Sequence, residues 1–226
     1  SGGIDSSVVS TLCARTGIKT LVASMPISQR PEHHDLSIKH SQWLSQKFTN
    51  AYSVELDLTG AFMSFENILT DKKFTSDMGL ANSKARLRMM TLYQISASTS
   101  GIVVGTGNKI EDFGVGFYTK YGDGGVDISP IADCTKSQVW AMGKELGILE
   151  EIQMAEPTDG LWSDGRTDTD QLGMSYKEIE FLMDRPSEPG YEKYLTIRKK
   201  NLHKMKSIPI CKFDGKIPLD ADPKKA

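Results

Sequence analysis

The stretch SGGIDSSVVS (Ser1–Ser10) packs two glycines, an aspartate and three serines into seven residues and then turns abruptly apolar. Such a segment is too polar and too flexible for a core. Val8, Val9, Leu12 and Cys13 recur at helical spacing, and Gly17 stands where a helix C-terminus takes a residue with positive φ. The reading is a glycine-rich turn that feeds a helix N-terminus. There the first backbone N–H groups lack intrahelical partners and the helix dipole is positive, which suits a phosphate. A glycine turn with a serine N-cap is the plainer reading, but Asp5 and the hydroxyls of Ser1, Ser6 and Ser7 favour a nucleotide loop. The loop lacks the lysine of the GxxxxGK[ST] type, so the charge of a polyphosphate must be met by metal and by residues elsewhere.

Outward from that loop, apolar runs alternate with helical patterns. IKTLVASM (18–25), AYSVEL (51–56) and GIVVGTG (101–107) read as strands. Between them lie a polar helix over 31–48 anchored by Leu36, Trp43, Leu44 and Phe48, and a short helix through Phe62 and Phe65. Residues 67–80 have no clear period and read as a mobile loop. NSKARLRMMTLYQISAS is a strong helix with Leu87, Met90 and Ile95 inward and the Met89–Met90 pair as core filling. This alternation implies a doubly wound α/β fold, a mainly parallel sheet covered on both faces. Ligands of such sheets bind outside the C-terminal strand ends, so the turns at Ser1–Ser6 and Gly105–Asn108 should share one edge. The second half differs: a Gly- and Asp-rich run over 117–130, a helix from Thr135 to Leu146 closed by Gly147, and a long acidic loop over 156–173. Helices come next near 175–185 and 190–206, then a flexible tail over about 207–226.

The bulk numbers narrow the classes. With 226 residues and 38% hydrophobic content, one domain over 1–226 is expected. A net charge of −2 gives no electrostatic reason to expect nucleic acid or an anionic membrane surface. No apolar run approaches the ~20 residues needed to span a bilayer. Three scattered cysteines, Cys13, Cys134 and Cys211, resemble neither a disulfide framework nor a zinc site, and reduced cytoplasmic thiols fit them. The chain starts without Met inside a motif, so a preceding segment is expected.

Two acids carry the candidate chemistry. Asp5 is a hard oxygen donor suited to Mg²⁺, which takes one or two carboxylates plus phosphate oxygens, and Glu111 beyond the second glycine turn could supply the other. Either alone could be a solvated acid or a helix cap; together at one sheet edge they are more persuasive. Lys136 in the first turn of a helix is electrostatically unfavourable, which hints at a functional demand. His33, His34 and His40 have no metal spacing and read as surface residues, and His203 with Arg198, Lys199, Lys200, Lys204 and Lys206 reads most simply as a solvated basic helix.

SGGIDSS resembles the pyrophosphate-binding loop of ATP pyrophosphatases that activate an acceptor as its adenylate, a loop shared with GMP, asparagine and argininosuccinate synthetases and tRNA-modifying enzymes. NSKARLRMMTLY, GTGNKIEDFGVGFYTKYGDGGVDISPI, EPTDGLW…DGRTDTDQLG and a late HK resemble NAD synthetase, in that order and at family-like spacing, from Ser1 to about Lys204. The resemblance implies the ATP pyrophosphatase fold, with its first strand absent from this chain. It implies that Ser1, Gly2, Gly3, Asp5, Ser6, Thr106, Lys136 and Thr158 contact ATP, with Asp5 and Glu111 on Mg²⁺. Arg86, Lys120, Asp127, His203 and Lys204 match the family's contacts to deamido-NAD. Deamido-NAD carries a pyrophosphate and a carboxylate, so Arg, Lys and His are apt partners, while Asp127 suits hydroxyls. Arg86 and Arg88, two apart on one helix, point in different directions, so one of them reads as surface charge.

The activity that this resemblance implies is ATP-dependent amidation of deamido-NAD to NAD by a cytoplasmic homodimer, with no covalent nucleophile. Ammonia is the expected donor, since no cysteine has a glutaminase-like setting. SMP (Ser24–Pro26) instead resembles the glutamine-dependent branch, at a point where ammonia-dependent members often carry an Arg. The alternatives are the synthetase portion of a glutamine-dependent enzyme, another adenylating ATP pyrophosphatase, and a non-enzymatic ATP-binding module.

Overall fold

The computed structural model describes residues 2–28, 31–162 and 164–211, so Ser1 and the tail from 212 onward lie outside the described residues. The opening helix α1 (Ile4–Arg15) forms where its apolar spacing places it, with Gly3 at the N-cap and Gly17 at φ +80° just past its end. It is followed by β1 (Thr20–Ser24), α2 (Pro31–Lys47) and β2 (Ala51–Glu55). Proline at the first position of α2 costs no hydrogen bond, because that N–H would be an orphan anyway. β1 and β2 pair in parallel from Thr20 against Ala51 to Ser24 against Glu55, with α2 as the crossover packed on both strands.

The core forms where these elements meet. Ile4, Val8 and Val9 of α1 are buried against Val139 and Leu146 of α5 (Lys136–Leu146), with Ile131, Ile148 and Ile152 completing the cluster. Each such aliphatic side chain contributes on the order of 1.5–3 kcal/mol by leaving water. The two helices approach closely because Gly143 has no side chain; a Cβ there would lie 2.5 Å from Ile4 Cδ1. A second cluster joins Ile110 and Val115 to Tyr176, Ile179 and Leu182 of α8 (Tyr176–Leu182) and to Tyr194 of α9 (Tyr191–Met205).

Several expectations need correction. Residues 67–80 are mostly helical: α3 (Thr59–Asp71) and α4 (Asp77–Thr99) leave only 72–76 between them, and Ser76 caps α4 by accepting from the Gly79 N–H. The buried stripe of α4 is Ala81, Ala85 and Met89, whereas Met90 is 65% exposed. Small residues let α4 approach its neighbours, so the stripe runs one position off the large apolar side chains. The run 101–107 makes one parallel bridge, Val104 to Ile128, instead of a strand. The Val103 N–H is taken by the Asp127 carboxylate at 2.7 Å, so a side chain replaces part of the ladder. The acidic loop over 156–173 ends in a short helix, α7 (Asp168–Leu172), after the similarly short α6 (Glu150–Met154).

His40 is 2% exposed, stacked on Trp43 with its Nε2 2.8 Å from Ser10 Oγ, so it is no surface residue. His34 is half-buried with Nε2 3.5 Å from Glu55, and the His33 side chain lies outside the described residues. The basic helix α9 is only partly solvated, because Arg198 donates to the Phe113 and Gly114 carbonyls and Lys204 to those of Gly116 and Tyr118. No described helix is long and apolar enough to cross a membrane.

Candidate active site

The two glycine turns meet. Asn108, fully buried, donates from Nδ2 to Asp5 Oδ1 at 2.8 Å, which ties the Gly105–Asn108 turn to the first turn of α1. Gly107 leaves room for the Asp112 carboxylate, which a Cβ there would displace. Beyond Asn108 the chain makes a π-helical turn, Ile110–Val115, and Asn108 Oδ1 accepts from the Ile110 and Glu111 N–H groups at its start. π-Helical turns are rare and recur at functional sites. This one presents Glu111 toward Asp5.

Between those two acids stands Lys136. Its side chain is 2% exposed, and its Nζ donates to Asp5 Oδ2 at 2.6 Å and to Glu111 Oε1 at 2.9 Å. Burial works against its charge, yet Glu111 and Asp5 hold its pKa above the ordinary lysine range. Burial, then the Asp5 charge, pushes Glu111 up to about 7 against the pull of Lys136. Asp112 is pushed up to about 6 by burial, then by Asp123 and Asp5. This edge thus holds more carboxylates than one lysine balances, an arrangement that favours a further cation.

Three members of the cluster escaped the sequence reading. Tyr176 lies with its hydroxyl 2.6 Å from Glu111 Oε1 and 2.7 Å from Asp168 Oδ2, and its ring centroid is 4.6 Å from Lys136 Nζ. Asn108 had a local signal, since a polar residue closing a GTGN turn is placed to brace it. Asp168, among the acids of a long loop, and Tyr176, one residue after a serine cap, had none.

The remaining candidates fall in two groups. Near α1, Ser6 Oγ donates to the Gly3 carbonyl at 3.0 Å, and Gly2 and Thr106 are half-buried. Thr158 donates to the Arg166 carbonyl and accepts from the Gly160 N–H within its own loop. No described hydrogen bond joins it to the Asp5 cluster. The other group is linked by contact: Arg86 Nε donates to the Lys120 carbonyl at 3.2 Å, and Lys120 Nζ to the His203 carbonyl at 3.3 Å. Lys204, in the next position, is half-buried and its pKa is lowered by that burial. Asp127 does accept from a hydroxyl, that of Tyr93 at 3.1 Å. Arg88 is not surface charge: its Nε donates to the Met25 carbonyl at 3.0 Å and burial lowers its pKa to about 10.

Comparison with known proteins bears on this edge. A family model described as NAD synthase matches residues 1–215. An NH(3)-dependent NAD(+) synthetase of Carboxydothermus hydrogenoformans is 35% identical over 212 residues, 92% of this chain and 85% of that protein. The structure of NMN synthetase from Francisella tularensis superposes with a TM-score of 0.85 at 31% identity, covering 94% of this chain and 87% of its own. An NH3-dependent NAD synthetase from Campylobacter jejuni, solved with nitrate, gives 0.72 at 26% identity over the same shares. The family match runs through both glycine turns and through the segments that carry Lys136, Asp168 and Tyr176, and on that extent the chain belongs to the NAD synthase family.

Proposed function

We propose that this chain is an ammonia-dependent NAD synthetase, a carbon–nitrogen ligase that amidates deamido-NAD with cleavage of ATP. The observation that carries the reading is the Asp5–Lys136–Glu111 cluster at the N-terminus of α1, in a chain of this family. The nicotinate carboxylate attacks the α-phosphorus of ATP and releases pyrophosphate. Ammonia then attacks the carbonyl of the acyl adenylate, loses a proton and expels AMP. Such steps need charge neutralisation and positioning more than a protein nucleophile.

Within that reading, Gly2, Gly3 and Ser6, together with Ser1, direct N–H and hydroxyl groups at the phosphates. Thr106 and Thr158 complete the ATP contacts, and Lys136, held charged by its two acids, offsets negative charge beside them. Asp5 and Glu111 fit Mg²⁺ by their chemistry: both are carboxylate oxygen donors, and their shared contact with Lys136 brings them close together. Among the described residues no cluster of three or more His, Cys, Asp and Glu could hold a metal. Two carboxylates completed by phosphate and water suit Mg²⁺. Bound there, the ion would neutralise polyphosphate charge and polarise the phosphorus. Arg86, Lys120, His203 and Lys204 serve the pyrophosphate and carboxylate of deamido-NAD, with Asp127 for hydroxyls. We assign the chain as a single domain acting as a cytoplasmic homodimer with the deamido-NAD site at the two-fold interface, without nucleic-acid or membrane partners. Ammonia as donor is supported by relatives named NH(3)-dependent.

The test supplies deamido-NAD, ammonium, ATP and Mg²⁺ and tracks the nucleotide products. AMP and pyrophosphate in step with NAD are expected; ADP and phosphate would refute the assignment. A second reading has a specific observation behind it, the TM-score of 0.85 to the protein named NMN synthetase. Its acceptor would be nicotinate mononucleotide, and comparing kcat/KM for the mononucleotide and the dinucleotide decides between them.

A further inference from the structure

Helix α4 carries Lys84 and Arg88 four residues apart, so both side chains leave one face of the helix. Like charges at that spacing repel, and burial lowers the pKa of both, with the Arg88 charge lowering Lys84 further. Neither forms an ion pair among the described residues, and Arg88 Nη2 is buried with no hydrogen-bond partner there. Stability alone would favour an apolar residue at position 84, where the side chain lies against Phe62, with Nζ 5.5 Å from the ring centroid. Each cation instead donates to a main-chain carbonyl of a loop. Lys84 Nζ reaches Leu161 at 3.2 Å, and Arg88 Nε reaches Met25, just past β1, at 3.0 Å. One helix thus ties down two loops, and sequences depart from local rules of this kind chiefly where function demands it.

The loop that Lys84 holds is braced from within. The Gly160 N–H donates to Thr158 Oγ1 and the Leu161 N–H to Asp159 Oδ1. Gln171 of α7 links Asp159 Oδ2 to the Trp162 ring nitrogen. The segment therefore keeps its own shape, and what remains to be set is where it sits. Among the described residues, Lys84 is the one side chain outside 156–173 that hydrogen-bonds to residues 157–162. We propose that Lys84 is a positioning residue for ATP: through the Leu161 carbonyl it seats the 158–162 segment and so places the Thr158 hydroxyl. The contact is to a carbonyl of the main chain, so it constrains the backbone beside Thr158 whatever side chain stands at 161.

The inference rests on Thr158 serving ATP in the proposed reaction, so the experiment has one readout that needs turnover and one that does not. Lys84→Met removes the ammonium and keeps an unbranched stem, whereas Lys84→Arg keeps a donor. In Lys84→Met the KM for ATP should rise about tenfold, the scale of losing one hydrogen bond to a charged group. Its kcat and its KM for deamido-NAD should stay within about twofold, and Lys84→Arg should stay within about threefold of wild type throughout. A merely structural role would lower kcat through the active fraction and leave both KM values in place. Added to Thr158→Ala, Lys84→Met should raise the KM for ATP by less than about twofold further, because the two act through one contact. The second readout is amide hydrogen exchange at Gly160 and Leu161 in ligand-free protein. Exchange should be about tenfold faster in Lys84→Met and unchanged in Lys84→Arg, with α1 unaffected in both. An unchanged KM for ATP or unchanged exchange in Lys84→Met, a fall in kcat alone, or an effect fully additive with Thr158→Ala would overturn the proposal. If the wild type makes no NAD, the proposed function falls and the exchange comparison alone decides whether Lys84 seats the segment.

Discussion

Replacing Lys136 by Met removes the only ammonium that touches both Asp5 and Glu111 among the described residues while keeping an unbranched side chain of similar length. The variant leaves two largely buried carboxylates facing each other across an apolar group. Removing one partner of a buried ion pair typically costs about 3–5 kcal/mol. The lower end applies here, because Asn108 still donates to Asp5 and Tyr176 still contacts Glu111. With an m-value on the order of 2–3 kcal/mol/M, a loss of about 3 kcal/mol lowers the urea midpoint by roughly 1 M or more. The assay is urea unfolding of metal-free protein in EDTA, monitored by fluorescence of the three tryptophans. The sharper measurement is the double variant. Glu111→Gln on the Lys136→Met background replaces one of the unpaired charges by a neutral group of the same shape, so it should recover about 1–2 kcal/mol although each change alone is destabilising. A double variant no more stable than Lys136→Met, or a single variant within about 0.5 kcal/mol of wild type, would refute the account of this cluster.

Asp5→Asn and Glu111→Gln should each slow adenylation by on the order of 10²-fold, the scale of a group acting on transition-state charge; pyrophosphate release measures it, and wild-type rates would show that these acids are cosmetic. His40 should make the fold sensitive to acid: burial holds its folded pKa near 4, below the ~6.5 of the unfolded chain. The unfolded state therefore takes the proton first, and this contribution is complete above about pH 6.5 and lost as pH falls toward 4. About 2 kcal/mol should disappear between pH 7.5 and 5 in wild type relative to His40→Gln, read from urea midpoints at both pH values; parallel pH dependences would contradict the burial argument. Light scattering at working concentration should report a dimer, since symmetric dimers are the commonest oligomers, and a fully active monomer would exclude the interfacial site.

Local rules reached far into this molecule because α1, β1, α2 and β2 are each set by spacing and punctuation a few residues long. The apolar periods of Val8–Cys13, the proline opening α2 and the glycine after α1 act within single turns, so their outcome is legible without a fold. The residue types at Asp5, Glu111 and Lys136 were legible as candidates for the same reason: a carboxylate after a glycine turn or a lysine at a helix start is unusual on its own terms. Their assembly was not. The bonds that make the site span 103 residues from Asn108 to Asp5, 131 from Lys136 to Asp5 and 65 from Tyr176 to Glu111. No periodicity encodes separations of that size. Burial was decided the same way: His40 and Arg88 carry polar side chains that look solvated in sequence, and Met89 and Met90 differ only in which side of α4 meets a neighbour. The run 101–107 has every mark of a strand, yet a strand needs a continuous run of pairs with a partner backbone, and here Val104 alone bridges to Ile128 while the Asp127 side chain takes the Val103 N–H. Propensity and pattern act within a turn or two, whereas hydrogen-bond partners and desolvation depend on which distant segments the packed chain brings together.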